Sequence, residues 1–425
     1  MLNKFQQLWK AKDVRNNIFY VLVLLIIFRI AAHIPVPGID VGDLRDIFEK
    51  NQILGLLNLF SGGGMANFSV VMLGVGPYIT SSIIFQLLTM IVPKLEALSK
   101  EGEYGRGKIN QYTRLLTIPL AFIQGYGFIN LLSRQTGGAI LSNMNNFQLV
   151  STLVTITAGT VFLMWLGELI TEKKIGNGIS LLIFAGIVAS LPQSLGNTLI
   201  AFDSTQALSL IVFVILGLVT IASIIYITEG QRNIPISYAR HVVGQKSTGG
   251  VNTFLPLRVN QAGVIPIIFA ISVILFPPML AQFFSASSVS WIRDFSQGTI
   301  DLFQNQLFYG IFYFIAVVLF TFFYTSVIFH PEQIAENLQK QGGFIPGIRP
   351  GRHTAEYLSS VSIRILLAGA LFLGIIAILP IIVGPLTGIR TISLGGTSLL
   401  IVVSVVIETV KQVDAQLVMR DYEGF

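Results

Sequence analysis

Chemistry would need ionisable or nucleophilic side chains held in an apolar site, and in this chain such residues are placed elsewhere. All nine aspartates, Asp13, Asp40, Asp43, Asp46, Asp203, Asp294, Asp301, Asp414 and Asp421, fall in loops, tails or the ends of apolar runs, which excludes a di-aspartyl site inside a membrane. His33 and His330 lie near the ends of apolar runs and His241 and His353 in polar loops, without H-E-x-x-H or similar spacing, so no catalytic metal is expected. Gly102-Glu103-Tyr104-Gly105-Arg106-Gly107-Lys108 satisfies G-x-x-x-x-G-K. That spacing cradles phosphate only after a buried strand and before a Ser or Thr for Mg²⁺. Ile109 follows and no strand precedes, so the stretch reads as a flexible, charged turn. The lack of cysteine removes disulfides and thiolate metal sites. These residues point to no enzyme and no cofactor, and any energy source must come from a partner.

The elements that carry these residues are membrane helices. Of 425 residues 53% are hydrophobic and 11% charged, and the mean hydropathy is +0.73. A hydrocarbon core of about 30 Å needs roughly 20 residues of helix. Runs suited to it lie near 19–36, 68–92, 113–132, 149–170, 179–195, 207–228, 262–284, 307–329, 362–383 and 394–410. No polar segment between them is long enough for a domain with its own core. The first run follows Lys4, Lys10, Lys12 and Arg15, yet it is too long for a signal peptide and lacks a small-residue cleavage site, so it is expected to be retained.

Positive loops stay cytoplasmic. Placing the N-terminus inside puts twenty-one of the 27 lysines and arginines in the tails and inner loops, against five in the outer loops, Arg45, Lys50, Arg134, Arg293 and Arg390. Both termini are therefore expected in the cytoplasm, and the net charge of +6 reflects topology. The basic inner face could also meet ribosomal RNA or anionic lipid.

Ten spans divide into five and five, which gives two halves of opposite orientation. Gly74-Val75-Gly76-Pro77-Tyr78-Ile79 in the second run matches Gly263-Val264-Ile265-Pro266-Ile267-Ile268 in the seventh as G-V-x-P-x-I. Gly178-Ile179-Ser180-Leu181-Leu182-Ile183 in the fifth matches Gly396-Thr397-Ser398-Leu399-Leu400-Ile401 in the tenth as G-x-S-L-L-I. Both pairs hold equal ordinal positions, the pattern of an inverted repeat with its working site between the halves. Pro77 and Pro266 are expected to bend their helices beside that site, although glycine and proline are also simply frequent in membrane helices. The fold class is thus all-α membrane protein, ten transmembrane helices in two five-helix halves.

The expected division is a cytoplasmic segment 1–18, a first half 19–195, an external hinge loop 196–206, a second half 207–412 with cytoplasmic loops 229–261 and 330–361, and a cytoplasmic tail 413–425. A secondary transporter of a small solute also uses inverted repeats, but it needs strongly polar residues at mid-membrane depth. Only Arg29, Glu168 and Glu408 are candidates, the last two toward the inner ends of their spans.

The chain resembles the SecY family of protein-conducting channels over essentially its whole length. The resemblance is carried by IPVPGID (34–40), NLFSGGGM (58–65), GPYITSSIIFQLLT (76–89), KEGEYGRGKINQYTR (100–114), FLMWLGELITEKKIGNGIS (162–180), LPLRVNQAGVIPIIFA (255–270), HPEQIAENLQKQGGFIPGIRPGRHTAEYL (330–358) and GGTSLLIVV (395–403). It implies a translocase subunit in the bacterial plasma membrane that passes unfolded or nascent polypeptides and releases hydrophobic segments sideways into lipid. It also implies SecE-like and SecG-like small membrane subunits, the SecA motor ATPase, the ribosome with its nascent chain, and signal sequences as partners or clients.

Matched motif by motif, the resemblance places a pore ring at Val75, Ile79, Ile179, Ile183, Ile268 and Ile401, the residues of the internal echo. It places a plug in the apolar segment 53–65, with Leu56, Leu57, Asn58, Leu59, Phe60, Ser61, Gly62, Gly63, Gly64 and Met65 as its residues. The glycines are expected to let it fold back and move. A lateral gate between spans 2 and 3 and spans 7 and 8 takes Thr80, Ile83, Gln86, Leu87, Gln124 and Phe276; Gln86 and Gln124 are expected either to bond across the seam or to bond backbone within the bundle. Motor or ribosome docking falls to Arg240, Lys246, Arg258, Arg349 and Arg352. Phe254 and Arg258 stand where the family pattern has histidine and lysine.

Overall fold

Helices form where the apolar runs are, and glycine or proline marks the start of several of them. The chain is seen in a computed structural model that describes residues 11–37, 58, 61–135, 145–200, 207–238, 241–243, 246–248, 252–285, 289–387 and 396–423. In order these form α1 (Lys12–Ala31), α2 (Gly76–Ile91), α3 (Pro93–Lys100), α4 (Glu103–Gln135), α5 (Asn146–Glu172), α6 (Gly178–Ile200), α7 (Ala207–Glu229), strands β1 (Gln231–Tyr238), β2 (His241–Val243), β3 (Lys246–Thr248) and β4 (Asn252–Arg258). There follow α8 (Ile265–Phe284), α9 (Ser290–Gln304), α10 (Gln306–Ile328), α11 (Pro331–Lys340), β5 (Gly343–Phe344), α12 (Arg352–Thr387) and α13 (Gly396–Glu423). Helices α1, α2, α4 to α8, α10, α12 and α13 coincide with the ten apolar runs. The membrane part is all-α, in two halves of five.

The two prolines of the internal echo do not kink helices as expected. Residues 61–75 form a succession of turns, and α2 starts only at Gly76 with Pro77 in its first turn. Pro266 likewise sits in the first turn of α8. Proline belongs there because its missing N–H would have no helical partner and its fixed φ suits the first turn. The preceding chain reverses at Gly74 (φ +58°) and Gly263 (φ +65°), in a left-handed region that favours glycine. Val75 and Val264 then take near-identical cap conformations, φ −93° and −94°. At 16 residues, α2 covers only about 24 Å at 1.5 Å per residue, short of a hydrocarbon core of about 30 Å.

The G-E-Y-G-R-G-K stretch is also not a flexible turn. Gly102 (φ +78°) makes the turn alone, and Glu103 to Lys108 are already helical in α4. Gly105 lies so close to the Leu98 carbonyl of α3 that a Cβ would overlap it. Before it, α2 and α3 meet at 101° across Val92 and Pro93.

The loops 229–261 and 330–361 carry strands that the helix-only reading did not anticipate. β1 pairs antiparallel with β4, Gln231 opposite Arg258 and Ile234 opposite Leu255. β5, from the 330–361 loop, adds to the other side of β1 through Ser237 and Phe344. One small core, Ile234, Leu257, Ile345, Leu358 and Val361, ties both loops to the base of α12. Another addition is α9, an amphipathic helix packed on α8 and α10.

Candidate functional site

Five of the six ring residues are buried: Val75, Ile79, Ile183, Ile268 and Ile401. All five belong to one hydrophobic core fed by both halves, with Ile179 half-buried against it. Their helix starts are fixed locally. Asn177 Oδ1 accepts from Ser180 N (3.1 Å) and the Asn177 carbonyl from Leu181 N (2.9 Å), while Thr171 Oγ1 accepts from Gly178 N (2.9 Å), which pins the first turn of α6. Ile79 N donates to Val75 O (3.1 Å) and Ile268 N to Val264 O (3.3 Å), so the two helix starts share their first helical bond.

Of the plug residues, Leu56, Leu57, Leu59 and Phe60 lie outside the described residues. Asn58 and Ser61 to Met65 form a bonded knot rather than a loose strap. Gly63 N donates to Asn58 O (2.8 Å), Ser61 Oγ to Asn58 O (3.0 Å), Met65 N to Ser61 Oγ (3.1 Å) and Ala66 N to Asn58 Oδ1 (2.9 Å). Gly62 and Gly63 take φ +67° and +83°. Arg29 of α1 donates to the Gly62 carbonyl. Arg29 stood out in the sequence as a charge within a span, but its partner lies 33 residues away and was not legible there.

At the seam, α8 packs against both α2 and α4. Ile83 is buried and Thr80 and Gln86 are half-buried, while Leu87 and Phe276 are exposed. Gln124 donates to Thr80 Oγ1 at 3.4 Å. That bond joins α4 to α2 on one side of the seam, so Gln124 does not reach across it. Gln86 Oε1 is buried with no hydrogen-bond partner among the described residues. Glu168 pairs with Arg114 of α4 at 2.6 Å, so one of the candidates for an ion-coupling group is already neutralised within the first half.

Among the docking residues, Arg240 lies outside the described residues. Lys246 is in β3, opposite Val243. Arg258 ends β4 and is exposed. Arg349 is exposed on a turn whose carbonyl accepts from Thr354 Oγ1 (2.9 Å), between Gly347 (φ +83°) and Gly351 (φ +93°). Arg352 extends into solvent beside Glu356 at 3.1 Å. Behind them α11 is braced by Lys340 and Glu336 at 2.8 Å, a contact that holds the Glu336 carboxyl below its ordinary range.

Comparison with known proteins decides between channel and transporter. The SecY family signature matches residues 69–410. The chain belongs to the SecY family. The protein translocase subunit SecY of Streptomyces galbus is 42% identical over 445 residues, covering all of both chains; that of Streptomyces coelicolor is 43% identical over 442 residues with the same coverage. A solved structure described as that of a protein conducting channel superposes with a TM-score of 0.63 over 93% of this chain and 90% of its own, at 18% identity. At that identity the superposition speaks for the SecY fold. It agrees with the ten helices and two halves described above.

Proposed function

We propose that this chain forms the channel of a protein translocase and passes unfolded polypeptide through the ring of Val75, Ile79, Ile179, Ile183, Ile268 and Ile401. As a SecY-family protein it is a channel subunit and not an enzyme. The observation that carries the ring is that echo residues of both halves are buried in one hydrophobic core. Branched aliphatic side chains adapt to an extended chain of any sequence and offer no hydrogen bonds to trap it, and a narrow apolar constriction opposes ion flow by dewetting.

The knot around Ser61 to Met65 serves as the plug, and the contact of α8 with α2 and α4 is the seam that parts for hydrophobic segments. A signal h-region gains about 0.3 to 0.6 kcal/mol per Leu, Ile, Phe or Val on entering lipid, so it leaves once the wall opens. Exposed Arg349, on a turn between Gly347 and Gly351, and Arg352, at the start of α12, supply the docking face for a SecA-like motor or a ribosome, together with Arg240, Lys246 and Arg258. SecE-like and SecG-like helices brace the two halves. The chain sits in the bacterial plasma membrane with both termini in the cytoplasm.

The test is reconstitution of the chain with such partners in vesicles. ATP-driven import of a secretory precursor is expected. Uptake of small solutes without import would return the secondary-transporter reading.

A further inference from the structure

Arg29 lies in the last turn of α1, where its charge suits the helix's negative end but still sits within an apolar span. Its guanidinium reaches the carbonyl of Gly62 at the head of the 58–66 knot. The same glycine is wedged by shape. A Cβ at Gly62 would lie 2.8 Å from Cζ of Phe28 and 3.2 Å from Cα of Gly186, and Phe28 is almost fully buried. So the head of the knot sits between α1 and α6. Gly186 is three residues beyond Ile183 on α6, which puts this contact within one turn of the ring.

The knot is bonded within itself through Asn58 and Ser61 and to the turns that follow through Asn67 N to Gly63 O (3.2 Å) and Ser69 N to Gly64 O (2.8 Å), so its Gly62 end is the part that can separate from α1 and α6. Its tie to α1 is a charge-assisted hydrogen bond, stronger than a neutral one, made where water is scarce.

We propose that Arg29 is the positioning residue of the closed channel: through the Gly62 carbonyl it latches the knot against α1 and α6, and opening requires that bond to break. This rests on the protein-conducting reading above. The latch differs from the ring in kind, because it is one charge-assisted bond beside a shape fit at Phe28, and Arg29→Leu removes the bond while leaving the fit. Arg29→Lys keeps a charge and a donor at nearly the same place. Arg29→Leu keeps the helix apolar and removes both.

The experiment uses the full chain, reconstituted with its translocation partners and carrying Met65→Cys as its sole thiol, since the natural chain has no cysteine. Met65 is buried in the knot. Two quantities are read, the resting ion leak and the rate at which a membrane-impermeant maleimide reaches the thiol from outside. Arg29→Leu is expected to raise both about tenfold, the factor that corresponds to about 1.4 kcal/mol. Arg29→Lys should restore them most of the way. Gly62→Ala, which leaves Arg29 intact and forces the knot off Phe28, should mimic Arg29→Leu. Unchanged alkylation in Arg29→Leu, or equal opening in Arg29→Lys and Arg29→Leu, overturns the latch. Glycine at Ile79, Ile183 and Ile401 is the control. If that variant leaks while Arg29→Leu does not, the latch fails alone; if neither leaks and no precursor is imported, the channel reading fails with it.

Discussion

The approaches to α2 and to α8 begin from the same local design and end in opposite uses. Both helices start with G-V-x-P-x-I, a left-handed glycine, a valine cap and a first-turn proline. Before α2 the chain is a knot of buried turns held by Asn58, Ser61 and Arg29. Before α8 it is a hairpin, β1 and β4, that ends in exposed Arg258 and shares a sheet with the 330–361 loop. A repeat therefore preserves the start of a helix near the ring while the segment in front of it diverges. In one half that segment is suited to sealing, in the other to being gripped.

This contrast predicts separable losses. The largest is expected from Arg349→Glu, which should lower ATP-driven import about 100-fold, as like charges set against a partner cost several kcal/mol; resting leak should stay unchanged. A variant that leaks without losing import would reverse the roles assigned to the two approaches. Next come Gly74→Val and Gly263→Val, each costing about 1–2 kcal/mol by forcing a branched residue into the left-handed region. Gly74→Val should raise leak, whereas Gly263→Val should chiefly lower import, and equal leak from both would erase the distinction. Gln124→Leu is smaller. It removes the bond to Thr80, worth about 1 kcal/mol in a membrane interior, within one side of the seam. Crosslinking between α4 and α2 should weaken, while crosslinking between α4 and α8 should hold; the reverse would restore a bond across the seam.

Much of the helical frame was legible because apolar runs and loop charge are strong, local signals. The echo marked local structure too, since G-V-x-P-x-I and G-x-S-L-L-I fall at four helix starts. What the echo meant was less legible. A proline reads as a kink or as a first-turn residue according to where the helix begins, and that is set by Gly74 and Gly263 through backbone reversals with little sequence context. The strands of the inner loops were missed because N-I-P-I-S and T-F-L-P-L are short and contain proline. Tertiary partners such as Arg29 with Gly62, Gln124 with Thr80 and Arg114 with Glu168 join distant segments or different helices, beyond any periodicity. The family resemblance supplied the ring and plug positions, and the physical packing explains why such positions suit a seal.

The central claim is that a passing polypeptide is gripped by aliphatic side chains from both halves. Photo-crosslinking residues placed singly at Ile79, Ile183, Ile268 and Ile401, with a precursor arrested part-way by a folded domain at its end, test it most directly. The account predicts adducts to the arrested chain from all four helices, lost when the precursor is released. Arrest and protease protection of the precursor without adducts from those positions would place the path elsewhere and contradict the account.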